Sequence, residues 1–215
     1  MSADCHNHAW EAPANDPRYR RVLWIALVVN AVMFVIELSA GFSAGSASLL
    51  ADAIDFAGDA ANYGLSLWAL TMATVWHSRT AIVKGTCMLV FGLFVLGKAI
   101  WLAYSGVVPE AEVMGAVAVL ALMANVGVAI LLYRYREGDA NRQSVWLCTR
   151  NDAISNLAVI MAAIVVWLTG HGAADIAVAL LMAGLAIHAG IKVLKLAGAE
   201  LATETSENTA NNHSH

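Results

Sequence analysis

Six apolar runs, at 22–44, 48–76, 80–105, 112–133, 143–169 and 174–196, take up most of the chain. Each is long enough to cross about 30 Å of hydrocarbon as a helix. Lipid offers backbone N–H and C=O groups no partner, so a run of this kind must satisfy them internally, as a helix does. The expected fold class is therefore all-α, a polytopic membrane protein built as a six-transmembrane-helix bundle. Composition agrees: 60% of the residues are hydrophobic and only 13% charged, against about 25% charged in soluble domains. The expected organisation is a polar N-terminal tail at 1–21, a membrane domain at 22–196 and a short polar C-terminal tail at 197–215. No cleavable signal peptide is expected, because residues 1–19 are polar and hold two prolines.

Lys and Arg set the orientation. Arg18, Arg20 and Arg21 precede the first span, and Arg79 and Lys84 lie between the second and third. Arg134, Arg136 and Arg142 lie between the fourth and fifth, Arg150 just inside the fifth, and Lys192 and Lys195 close the sixth. The opposite loops, Gly41–Ser46, Ser105–Glu112 and Gly170–Asp175, contain neither residue. Both termini are expected in the cytoplasm, with the chain in a bacterial-type inner membrane. Cys5, Cys87 and Cys148 are scattered and imply no disulfide framework. No basic, aromatic-interleaved patch suggests nucleic acid, and no nucleophile–base pair or phosphate loop suggests an enzyme.

The second span contains the feature that demands a function. Asp52, Asp55 and Asp59 stand in SASLLADAIDFAGD, an otherwise apolar helical run. Asp55 and Asp59 are four apart and share one helix face, with Asp52 near it. A carboxylate at the bilayer centre costs about 2.5–3.5 kcal/mol, so three close together call for a compensating cation. In the fifth span Cys148, Asp152 and Asn156 repeat every four residues and form one polar stripe. At about 1.5 Å per residue, Asp55–Asp59 lies about 12–18 Å from the outer end of span two, and Cys148–Asp152 about 8–14 Å from the inner end of span five. Both pairs fall near one depth, so two helices can close a four-ligand site.

Three carboxylates and one thiol suit a divalent ion of borderline softness. Magnesium and calcium prefer an all-oxygen shell, whereas thiolate favours zinc or cadmium. The expected metal is zinc, with cadmium, cobalt, nickel, iron or manganese as alternatives. Ligands must lose their protons to bind metal, so metal and proton are natural exchange partners. Second-shell or proton-handling roles go to Asp52, Asn156, Glu37, Asn30 and Lys98. Glu37 and Asn30 share a face of span one, and Lys98 either snorkels, pairs with an acid such as Glu37, or balances the metal-free carboxylates. Dense small residues, among them Gly41, Gly45, Gly58, Ala61 and Gly64, are expected to permit close helix approach. Cys5, His6 and His8 form a weak terminal metal-capture cluster, while His77, His171 and His188 read as interfacial or packing residues. The competing reading has the acids pairing with Lys98 and Arg150 to hold the bundle together.

These residues resemble the cation diffusion facilitator family of divalent metal/proton antiporters. Asn30, Glu37, Gly41 and Gly45-Ser46, followed by LLADAIDFAGD, are similar to that family's first two helices. Its signature, a His or Asp followed four residues later by Asp, matches Asp55 and Asp59 in helix two and falls on Cys148 and Asp152 in helix five. Cys148 departs from it, standing where the family usually has His or Asp. The resemblance covers residues 20–196 and implies efflux of zinc or a similar ion against proton entry, by alternating access. It also implies a short form without the family's cytoplasmic domain, with any homodimer made by the transmembrane helices. Two other functions compete: a proton-coupled transporter of another solute, and a membrane metal-binding receptor that moves nothing.

Overall fold

The structure, a computed structural model, describes residues 17–69, 77–135 and 140–212. Within them, the side chains at 68–69, 77–81, 84, 140–151, 197 and 199–212 lie outside the description. The described residues form six helices and no strand: α1 (Pro17–Ala44), α2 (Ala47–Ala69), α3 (His77–Ser105), α4 (Ala111–Tyr133), α5 (Ala140–Thr169) and α6 (Ala173–Asn212). The six expected spans each fall on one of these helices. Residues 70–76 of the second expected span lie outside the description. The helices carry their apolar residues outward, as lipid requires. On α1, Val28, Val32 and Val35 are exposed while Asn30 and Glu37 are fully buried, the reverse of a soluble amphipathic helix.

Five helices, α1 and α3 to α6, contain stretches long and apolar enough to cross a membrane. The exception is α2, whose 23 residues are sufficient in length. Its three aspartates fall within every stretch of 18 residues taken from it, so charge and not length sets it apart.

Three helix pairs have the longest contacts: α3 with α6, α1 with α2, and α4 with α5. The contacts α1–α4 and α2–α5 join the last two pairs, and α3–α6 packs against α2 and α5. Small residues allow the closest approach between α3 and α6. A Cβ at Gly190 would stand 3.0 Å from the Gly85 carbonyl oxygen, and one at Gly92 would stand 2.9 Å from Ile187 Cγ1. At the α1–α2 turn a Cβ on Gly41 would meet Leu50 at 2.8 Å, and Gly45 adopts φ 67°, which suits a residue without a Cβ.

The small residues further along α2 correct the expectation of close approach. Nothing lies within 4 Å of a Cβ built on Gly58. Ala57, Gly58 and Ala61 instead line an apolar cavity of about 730 Å³, closed on its far side by Phe34 of α1 and by Cys87 and Phe91 of α3. At 100° per residue this lining is on the face of α2 opposite its aspartates. The acids therefore turn toward the bundle and the cavity is a separate feature.

The buried interior is layered. Toward the helix ends joined by the α1–α2, α3–α4 and α5–α6 turns Ala47, Leu49, Leu50, Val95, Met114, Val159 and Ala179 form one apolar cluster. Toward the opposite ends Tyr19, Leu23, Tyr63, Leu67, Val128 and Leu132 form another. Between them lie Asn30, Glu37, Asp52, Asp59, Asn125 and Asn156, all buried, beside a small cluster of Met33, Phe56 and Ala121.

The end of the bundle at the α1–α2 turn has its own polar lock. Asp175, at the start of α6, accepts hydrogen bonds from Ser46 Oγ (2.7 Å), Ser48 Oγ (2.6 Å) and the backbone N–H groups of Ala47 (2.8 Å) and Ser48 (3.0 Å). The first turn of a helix leaves N–H groups unpaired and favours a negative charge. Asp175 supplies both needs of α2 from another helix.

Candidate metal centre

In the polar layer a contact between Asp52 and Asn156 joins α2 to α5. An amide is oriented by its hydrogen-bond network, and both ends of Asn156 agree. Its nitrogen donates to Asp52 Oδ2 and, at 3.1 Å, to Oδ1, while its oxygen accepts from Asn125 Nδ2 at 2.8 Å. Asp52 and Asn156 are essentially shielded from solvent.

This pair sets the register of the two helices, which run in opposite directions. Moving toward the C-terminus of α2, Asp55 and Asp59 lie about 4.5 and 10.5 Å beyond Asp52. Moving in the same direction, toward the N-terminus of α5, Asp152 and Cys148 lie about 6 and 12 Å beyond Asn156. Asp55 is thus level with Asp152, and Asp59 with Cys148. The depth match expected from helix ends is replaced by one anchored on an observed contact.

Asp55 is half-buried and Asp59 buried. Asp55 lies within electrostatic reach of both Asp52 and Asp59. Asp152 is half-buried on α5. Cys148 belongs to α5, and its side chain is outside the described residues. Among the described residues no three Cys, His, Asp or Glu side chains converge as a metal-holding group. The helices therefore align the four positions in depth, and the ligand set itself is a proposal.

Glu37 of α1 completes the polar layer. It is fully buried, faces Asp52, and among the described residues no donor gives a hydrogen bond to either of its oxygens. Two carboxylates are both acceptors, so only a proton or a cation between them makes that contact favourable. Asn30, two turns earlier on α1, donates from Nδ2 to its own helix at Ala26 O (2.8 Å), and its Oδ1 has no hydrogen-bond partner among the described residues.

Of the roles open to Lys98, the structure favours the snorkelling one. Lys98 Nζ stands 4.6 Å over the Trp101 ring, a cation–π contact three residues along its own helix. Lys98 lies about 10 Å from the C-terminal end of α3, within reach of the interface for a snorkelling side chain, and among the described residues neither Glu37 oxygen takes a hydrogen bond from it. His171 is exposed, with Nδ1 2.6 Å from Thr169 O, and His188 is exposed on α6. Cys5, His6, His8, His213 and His215 lie outside the described residues.

Sequence reasoning missed Asn125. It is 2% exposed and alone among apolar residues on the buried stripe of α4. A single asparagine in such a run is the available signal, but its partner is 31 positions away on another helix. Asp175 escaped notice because its partners belong to a helix 127 to 129 residues earlier.

Residues 23–202 match the cation efflux transmembrane domain. The chain is 24% identical over 204 residues to a cadmium, cobalt and zinc/H(+)-K(+) antiporter of Bacillus subtilis (strain 168), covering 88% of this chain and 64% of that protein. It is 27% identical over 206 residues to the zinc transporter ZitB of Escherichia coli (strain K12), covering 90% and 66%. It is 28% identical over 144 residues to metal tolerance protein A2 of Arabidopsis thaliana, covering 60% and 36%. The chain thus spans slightly less than two thirds of the length of the two bacterial relatives. The family match covers most of the chain and agrees with its helical membrane architecture and with acids buried between helices. The chain belongs to the cation efflux transmembrane-domain family.

Proposed function

We propose that the protein exports a divalent transition metal, zinc first, in exchange for protons. Asp55 and Asp59 of α2 and Asp152 and Cys148 of α5 serve as the ligands. The observation that carries this reading is the Asp52–Asn156 contact, because the register it sets makes the two ligand pairs level. The names of the bacterial relatives support zinc, with cadmium and cobalt as further substrates. A shell of three carboxylate oxygens and one sulfur fits tetrahedral zinc.

Exchange follows from the chemistry of the ligands. Metal and protons compete for the same oxygens and sulfur, so loading one displaces the other. Glu37 and Asp52 form a second proton-holding pair beside the metal ligands, since two facing acceptors need a proton or cation between them. Alternating access then presents the site to the two sides of the membrane in turn. The basic residues flanking the spans support cytoplasmic termini in a bacterial-type inner membrane, and therefore outward metal movement. The working form is a homodimer joined through transmembrane helices.

The test is zinc-dependent proton flux in liposomes. Asp55→Ala, Asp59→Ala and Asp152→Ala each abolish it while the protein still folds. Wild-type flux from all three would refute the reading. Flux of protons with another solute and without divalent metal would favour a different transporter.

A further inference from the structure

We propose that Asn125 of α4 is a positioning residue for this exchange, acting through the Asn156 amide to fix where the Asp52 carboxylate points. The proposal rests on the transport reading above. Asn125 lies on a buried stripe that otherwise consists of Met114, Ala118, Ala121, Val128 and Leu132. An amide there is unfavourable unless it is bonded. Asn125 gives its Nδ2 to Asn156, yet its own Oδ1 is buried without a hydrogen-bond partner among the described residues. A residue kept for packing alone would not leave an acceptor bare where alanine or leucine would fit.

What Asn125 supplies is anchorage. Asp52 offers only acceptors, so it takes the Asn156 nitrogen, and the Asn156 oxygen then faces α4, where Asn125 Nδ2 satisfies it and holds the amide in place. Asp52 is thereby held between the Asn156 amide and Glu37. The chain Asn125–Asn156–Asp52–Glu37 crosses α4, α5, α2 and α1 in turn. None of these four is a proposed metal ligand, and Asn125→Leu leaves in place the Asp52–Asn156 contact that sets the register of α2 and α5, so loss of the Asn125 donor disturbs turnover and spares metal affinity.

The experiment measures zinc binding and zinc-driven proton flux on the same full-length preparations, with flux expressed per zinc-binding chain. That normalisation removes losses caused by misfolding. Asn125→Leu should keep one zinc per chain with Kd within about threefold of wild type and lose about tenfold or more in flux at saturating zinc, the scale set by one hydrogen bond feeding a charged group. Asn125→Ser retains a donor and should recover part of that loss. Asn156→Leu and the double variant should show equal flux, because Asn125 acts only through Asn156. Wild-type flux in Asn125→Leu, equal losses in the Leu and Ser variants, or independent losses in the double variant would each overturn the proposal. If Asn125→Leu does not yield folded protein, Asn125→Ala against Asn125→Ser decides by the same criteria. A wild type that binds zinc but moves none fails the transport reading itself, and this proposal with it. A transporting wild type with an indifferent Asn125 fails this proposal alone.

Discussion

Replacing Asp175 by asparagine tests how the N-terminal end of α2 is held. Asp175 is 1% exposed, and its two oxygens divide four donors. Oδ1 accepts from Ser46 Oγ, Ser48 Oγ and Ser48 N–H, and Oδ2 accepts from Ala47 N–H. Asparagine has the same shape but only one acceptor. With its oxygen in the Oδ1 position, the new NH₂ faces the Ala47 N–H, donor against donor. One buried backbone N–H without a partner costs about 1–3 kcal/mol. Losing the negative charge at the start of α2 adds about 0.3–1 kcal/mol. The sum is about 1.5–4 kcal/mol. At about 2–4 °C per kcal/mol for a chain of this size, the melting temperature falls by about 3–16 °C. Asp175→Ala strips all four bonds and falls further, whereas Ser48→Ala removes one side-chain donor and falls least. Thermal unfolding in detergent, followed by circular dichroism, measures the series. An asparagine variant as stable as wild type, or an alanine variant no worse than asparagine, would refute the reasoning.

The glycines and Cys148 give further expectations. Gly190→Ala places a Cβ 3.0 Å from the Gly85 carbonyl and 3.1 Å from the Leu89 backbone nitrogen. It should destabilise the α3–α6 contact by about 1–3 kcal/mol, whereas Gly58→Ala, with nothing within 4 Å, should match or exceed wild type in the same melting assay. X-ray absorption on the zinc-loaded protein should show one sulfur at about 2.3 Å that disappears in Cys148→Ser. A sulfur shell that survives the substitution would remove Cys148 from the site.

The helices were legible because their cause is local. Lipid forces long apolar runs into helices whatever their neighbours are, and all six runs fall on described helices. The acids of α2 were legible for the same reason, since a carboxylate in an apolar run is conspicuous by itself. What the sequence could not supply was which side chains meet across helices. Asp52 looked peripheral because it is off the four-residue repeat, yet its bond to Asn156 sets the register between α2 and α5. Asn125 is a lone polar residue whose meaning lies in a partner on the next helix. Lys98 could be read as a snorkelling residue or as a counter-ion, and the contact found is an aromatic ring on its own helix. Gly58 and Ala61 suggested a tight helix contact, and the neighbouring helices leave a cavity beside them instead. In each case the residue type was informative and the partner was not.

The central claim is a metal held jointly by α2 and α5. Equilibrium zinc binding by calorimetry on the wild type, Asp59→Ala and Asp152→Ala tests it most directly, because the two substitutions remove one carboxylate from each helix. The account predicts one zinc per chain in the wild type and loss of that binding in both variants. Wild-type zinc affinity in Asp152→Ala would contradict it, because the site would then not extend to α5.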